Sequence, residues 1–159
     1  MNINILCVGK VKEKFFRDAI DEYSKRLSKF AKISIIEVSD EKTKDGASEV
    51  ENKMVIDKEG SKLLSYIKSS DYVISLCIEG KKLSSEKLAD KISDICLSGN
   101  STITFVIGGS LGLSDEIKNR SDFKLSFSDM TFPHQLMRVI LLEQIYRAFK
   151  INNNEPYHK

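Results

Sequence analysis

The chain lacks any apolar run near the roughly 20 residues that cross a bilayer, which excludes an integral membrane protein. It also lacks internal repeats and low-complexity tracts. Its 159 residues fit one domain, able to bury roughly two thirds of its unfolded surface in one core. No secretory leader is legible, because MNINILCVGKVKEK places its charges after the apolar residues rather than before them, so a cytoplasmic protein is expected. Cysteine is scarce and odd in number. Cys7, Cys77 and Cys96 all sit in apolar contexts, which argues against a disulfide framework and for reduced core thiols. Histidine is scarcer still: His134 and His158 have no close Cys or carboxylate partner in sequence, so no metal site is expected. A net charge of +2 does not by itself announce nucleic acid. Its distribution says slightly more, since Lys10 to Lys32 holds eight basic residues against four acidic ones. That excess fits a solvated helix face, or a surface that steers a polyanion.

What is present alternates between strand and helix. Asn2 to Val8, Lys32 to Ser39, Asp71 to Ile78 and Thr102 to Ile107 read as four strands, with a brief fifth near Phe123 to Phe127. Between them run helical patterns: Phe16, Ile20, Tyr23, Leu27 and Phe30 form one stripe, and Leu88, Ile92 and Ile95 form another behind a Ser84 or Ser85 cap. Gly99 reads as a left-handed helix stop, and Gly60 as the site of a close packing contact. Strands separated by helices imply an α/β fold, a mostly parallel sheet covered on both faces. The last helix, from about Pro133 to Ile151, is apolar on nearly every side. A chain this small cannot bury all of it, so a homodimer built partly on this helix is expected.

Ligands of open parallel sheets sit beyond the carboxyl ends of strands, which singles out Leu76 to Gly80, Gly108 to Gly112 and Phe127 to Phe132. In FVIGGSLGLS, Gly108 and Gly109 bare the main chain to a ligand, or serve only a tight turn before Ser114 caps a helix. The phosphate motifs fail here. No Gly-Lys-Ser/Thr ending follows, the turn comes after the fourth strand, and the full G-x-G-x-x-G pattern is missing. A nucleoside-like ligand without a phosphate chain fits better.

The segments LCIEGKKLSSEKLA, FVIGGSLGLSDEI and LSFSDMTFPHQLMRVILLEQIYRAF, with the terminal PYHK, resemble the RlmH family, the ribosomal large subunit methyltransferase H proteins of the SPOUT class. The likeness runs from the first strand to the last residue. It implies a deep trefoil knot in the C-terminal half, a homodimer, and S-adenosylmethionine as methyl donor. It also implies methylation at N3 of a pseudouridine in 23S rRNA on the assembled ribosome. By matching position, the cofactor contacts are Leu76, Gly108, and the run Phe127, Ser128, Asp129, Met130, Thr131 and Phe132. Relatives usually carry an aspartate where this chain has Cys77, which puts any contact through that carboxylate in doubt here.

N3 of a uracil ring is an imide nitrogen that becomes strongly nucleophilic only as its proton leaves, so a base or a stabiliser of the anion is needed. His158 is the first candidate base, and Tyr157 is placed to stack on or hydrogen-bond the ring; the bland alternative is a frayed tail. Arg138 follows as a group to stabilise the imide anion or grip a phosphate, against a plain ion pair with Glu143. His134 reads as a hydrogen-bonding residue at a helix start. Rival classes are a non-catalytic ribosome- or RNA-binding module on the same scaffold and a phosphate-handling nucleotide enzyme.

Overall fold

The structure is a computed structural model and describes residues 1–158. Ten elements follow one another: β1 (Asn2–Val8), α1 (Lys14–Leu27), β2 (Lys32–Val38), α2 (Glu49–Leu64), β3 (Tyr72–Lys82), α3 (Ser85–Leu97), β4 (Thr102–Ile107), α4 (Asp115–Arg120), β5 (Phe123–Ser126) and α5 (His134–Asn152). The five strands form one parallel sheet in the order β2-β1-β4-β3-β5. Isoleucine, valine and phenylalanine fill its centre: Ile3, Ile5, Phe105, Val106 and Ile74 are all fully buried. Such strands are apolar on both sides because both sides are covered.

One face carries α1, α3 and α5 over the larger apolar cluster, in which Leu141, Leu142, Ile145 and Ala148 of α5 meet Ile92 of α3 and Leu27 of α1. The opposite face carries α2 and α4 over a smaller cluster around Leu6, Leu63, Val106 and Ile117. Helix boundaries follow their caps. Ser48 and Glu51 make a reciprocal capping box for α2, Ser84 caps α3 and Ser114 caps α4. Gly99, at φ +86°, lies just past α3 in the left-handed conformation expected of a helix stop.

The main departure from the sequence reading is β3, which does not end at Ile78. It continues to Lys82 through a register shift in which Leu76 and Lys81 both face Leu125 of β5, so Cys77 to Gly80 loop out of the ladder. Gly80 makes this close: a Cβ there would stand 2.7 Å from the Leu125 carbonyl carbon. The thiols also differ from expectation. Cys7 is a core thiol, pushed up to about 12 by burial, but Cys77 is only half-buried and Cys96 is exposed at the end of α3.

Candidate active site

Two cavities open side by side at the carboxyl ends of the strands. The larger, about 730 Å³, lies beyond β3, β4 and β5. Its walls are Leu76 and the Cys77–Ile78 bulge, the Gly108–Gly112 turn, and the segment from Phe127 to the first turn of α5. The turn is tight: the Gly112 N–H donates to the Gly109 carbonyl, Gly112 has φ +91°, and a Cβ on Gly108 would lie 2.6 Å from the Gly112 carbonyl oxygen. Gly108 is thus required by the turn, and the turn in turn forms one lip of the cavity. The segment after β5 is held by its own serines, with Ser128 Oγ accepting from the Met130 N–H at 3.0 Å.

Seven of the eight predicted cofactor residues line this cavity. Asp129 does not: its carboxylate is 81% exposed and pairs with Lys82. Met130, also 74% exposed, is pocket wall rather than core. No Lys, Arg, Asp or Glu is among the lining residues, and His134 is the one histidine among them. Such a cavity has nothing to neutralise a phosphate chain, and it suits a flat, uncharged ring system read by backbone groups. Cys77 lies on the wall with its thiol pushed up by burial and by the neighbouring Glu79 carboxylate, so it is held as an inert thiol rather than a thiolate.

The predicted catalytic residues lie elsewhere. Arg138 is 1% exposed, and its guanidinium reaches Glu37 Oε1 at 3.0 Å and the carbonyls of Val8 and Gly9 at 2.8 Å each. The expected pair with Glu143 does not form, because Arg138 and Glu143 sit on different sides of α5; Glu143 pairs with Arg147 one turn on, at 2.6 Å. Tyr157 and His158 fold back on α5 and α3. The Tyr157 hydroxyl donates to Glu143, and its ring packs edge-on against Tyr146 and under the Arg147 guanidinium. Burial, with the Glu143 carboxylate second, pushes the Tyr157 hydroxyl up to about 12, so it remains a donor.

His158 contacts Arg147 through Nδ1 at 3.2 Å and Glu86 through Nε2 at 2.7 Å. Arginine can only donate, so Nδ1 must accept and the proton sits on Nε2, facing Glu86. The docked imidazole therefore has no open nitrogen. The Glu86 carboxylate is held down to about 2, chiefly by its own backbone N–H and Ser84, with His158 third. From His134, on the cavity, to Arg147, which holds the tail, α5 rises about 20 Å, so tail and cavity of one chain do not meet.

The description "Predicted SPOUT methyltransferase" matches residues 1–158 of the chain. A protein named ribosomal RNA large subunit methyltransferase H from Clostridium novyi (strain NT) is 63% identical over 159 residues, covering 100% of both chains. The chain belongs to the RlmH family of SPOUT methyltransferases. A protein of the same name from Clostridioides difficile (strain 630) is 60% identical, again with 100% of both chains covered. Among solved structures, a probable methylase family protein from Haemophilus influenzae Rd KW20 superposes with a TM-score of 0.54 at 13% identity, covering 99% of this chain and 70% of that one, which supports the fold. In this SPOUT methyltransferase the glycine turn and, apart from Asp129, the FSDMTF run line one cavity at the strand ends.

Two features of the site were missed in the sequence. One is the smaller cavity, about 360 Å³, beyond β1 and β2, which shares Gly109, Ser110 and His134 with the larger. The other is Glu59, an acid on α2 that is 5% exposed and sits beside Gly109. A carboxylate next to Gly60, at the tight crossing of α2 on α4, was the available signal. No candidate metal cluster of His, Cys, Asp and Glu occurs among the described residues, and no described helix is long and apolar enough to cross a membrane.

Proposed function

We propose that the protein is a one-domain, cytoplasmic, S-adenosylmethionine-dependent methyltransferase acting at N3 of a pseudouridine in 23S rRNA of the ribosome. The observation that carries this reading is the charge-free cavity, walled by Leu76, Gly108 and the Phe127–Phe132 segment, in a chain whose relatives are named ribosomal RNA large subunit methyltransferase H. The cavity fits the donor: Leu76, Phe127 and Met137 offer apolar faces to an adenine, and the backbone of the Gly108 turn and of Ser128 to Phe132 offers polar groups to its edge. Bound there, the donor supplies a sulfonium methyl whose C–S bond breaks as the N–C bond forms, the electron pair staying on sulfur. The chain's own task is positioning, since aligned reactants react far faster than free ones. The trefoil knot is part of the same proposal, as the path by which the chain from β5 to α5 crosses the cavity.

A homodimer completes the site. Tyr157 and His158 lie on the order of 20 Å from their own cavity, so in this reading the tail serves the cavity of the partner subunit. Tyr157 offers a face to the acceptor ring, and His158, once free of Arg147 and Glu86, offers a hydrogen bond. Half-buried Val139, Ile140 and Tyr146 on α5 supply an apolar surface for association. Calorimetry with S-adenosylmethionine and mass mapping of rRNA nucleosides test the proposal together. We expect donor binding, and methylation of ribosomes in preference to free RNA. The His158→Ala variant should lose turnover by at least about tenfold with donor affinity unchanged. Failure of the wild-type protein to bind the donor would leave a ribosome-binding module as the better reading.

A further inference from the structure

We propose that the smaller cavity receives the acceptor base, with its imide edge toward His134 and the neighbouring RNA phosphates on Lys10, Lys12 and Lys42. This rests on the methyltransferase reading above and adds the acceptor's place and a proton acceptor to it. Three observations point there. The cavity adjoins the donor cavity through Gly109, Ser110 and His134, so a ring within it lies next to whatever reactive group the donor cavity holds. Its lining is polar where the donor cavity is apolar, as a base with alternating donors and acceptors requires. Its rim carries three exposed lysines, none in an ion pair among the described residues.

The buried Arg138 explains how that rim is held. Its Nη2 donates to the carbonyls of Val8 and Gly9, Arg17 Nη1 donates to those of Val11 and Lys12, and Gln135 accepts from the Lys12 N–H at 3.0 Å. The loop from β1 to α1 is thus tied from α1 and α5 at once, presenting Lys10 and Lys12 outward in a fixed frame. Arg138 itself is 1% exposed and paired with Glu37, so where it borders the cavity it holds the rim in place rather than offering a free charge to a ligand. Arg138 is a positioning residue here, through the Val8 and Gly9 carbonyls that it holds.

The His134 side chain makes no hydrogen bond among the described residues and lines both cavities. Burial, and then the charge of Arg138, hold its imidazole below the usual range, with Asp40 opposing. Lys10, Lys12, Glu41, Lys42 and Glu59 are the other charged groups lining the cavity. At neutral pH the ring is therefore uncharged and able to accept. The N3–H proton passes to its open nitrogen as the N3 electron pair forms the bond to the methyl carbon, and water then takes the proton from the imidazolium.

The test uses the full-length protein, ribosomal particles, and calorimetry with S-adenosylmethionine and with 5′-methylthioadenosine, which lacks the amino-acid end. His134→Gln should lower kcat on the order of 100-fold and flatten the acidic limb of the pH profile. Thr43→Trp, which touches only the smaller cavity, should raise KM for ribosomes at least tenfold. Lys10→Ala/Lys12→Ala should do the same and reduce the salt dependence of binding. Thr43→Trp and the double lysine variant, which lie outside the larger cavity, should bind both adenosyl compounds as the wild type does. The proposal is overturned if His134→Gln keeps the wild-type kcat and acidic limb, or if Thr43→Trp keeps the wild-type KM. It is also overturned if Thr43→Trp and the double lysine variant weaken S-adenosylmethionine but not 5′-methylthioadenosine, which would assign the cavity to the donor's amino-acid end. An active wild type with silent variants sinks this proposal alone, whereas a wild type that binds no donor sinks both.

Discussion

Two charged side chains, Arg138 and Glu59, lie where charge is costly, and a third, Glu86, lies where it is favoured. Arg138 spends its donors on two backbone carbonyls and Glu37, which is how a guanidinium comes to sit on a helix whose neighbours are Leu141 and Leu142. Glu86 lies in the open at the start of α3 and is favoured as an anion by backbone N–H groups. Glu59 has less help. Its one backbone donor, the Glu41 N–H at 3.0 Å, is outweighed by burial, and Asp40 adds to the effect, so its carboxyl is raised above the ordinary 4.5. The native state then holds that proton more tightly than the unfolded chain does. The stabilising contribution is full below the unfolded value near 4.5 and is lost as pH rises through the raised value. Glu59→Gln should therefore flatten the decline in stability above pH 4.5 and unfold at higher urea than wild type at pH 8. Parallel urea curves for the two proteins across that range would contradict this.

Among the elements, α2 crosses α4 closely at Gly60. A Cβ on Gly60 would lie 2.2 Å from Ser114 Oγ and 2.8 Å from its Cβ, and Ser114 is the residue that caps α4 by accepting from the Ile117 N–H. Alanine at position 60 gains about 1 kcal/mol of helix propensity. It also overpacks the contact, at about 1–3 kcal/mol, and displaces the cap, at about 1 kcal/mol. A net loss of about 2 kcal/mol is expected in chemical denaturation. The double variant Gly60→Ala/Ser114→Gly, in which the clashing atoms are gone, should recover most of it, since neighbouring substitutions couple. Purely additive losses would show that the crossing is looser than the geometry states.

For the whole molecule, the separation of tail from cavity is the decisive feature. If each site takes its tail from the partner, two crippled chains can repair one another. Gly108→Ala should deform the turn that forms one lip of the larger cavity, and His158→Ala should spoil the tail. Each homodimer is then expected to be inactive, and mixing after exchange should restore about a quarter of the wild-type sites, because half the dimers are mixed and each has one intact site. Sedimentation should give a mass twice 18.0 kDa. A mixture no more active than its parts would place tail and cavity on the same chain.

Much of the fold was legible because its signals are local. β1 and β4 begin and end where the apolar runs do, Ser84 and Gly99 bracket α3, and Gly60 marks a close crossing. The larger cavity was legible in outline, since three strand ends of a parallel sheet must face one side. The extension of β3 was not, because a bulge depends on how closely Gly80 meets a neighbouring strand. Nor was the use of Arg138, whose partners lie more than a hundred residues away at the ends of β1 and β2. The sequence by itself determined the alternation of elements, the glycine turn and the family likeness, all carried by residues close together in the chain. Only the tertiary structure decided that His158 is docked away from its own cavity, that Asp129 faces solvent, and that a second, polar cavity opens beside His134. Those depend on which distant segments come to share one edge of the sheet, and no local pattern encodes that.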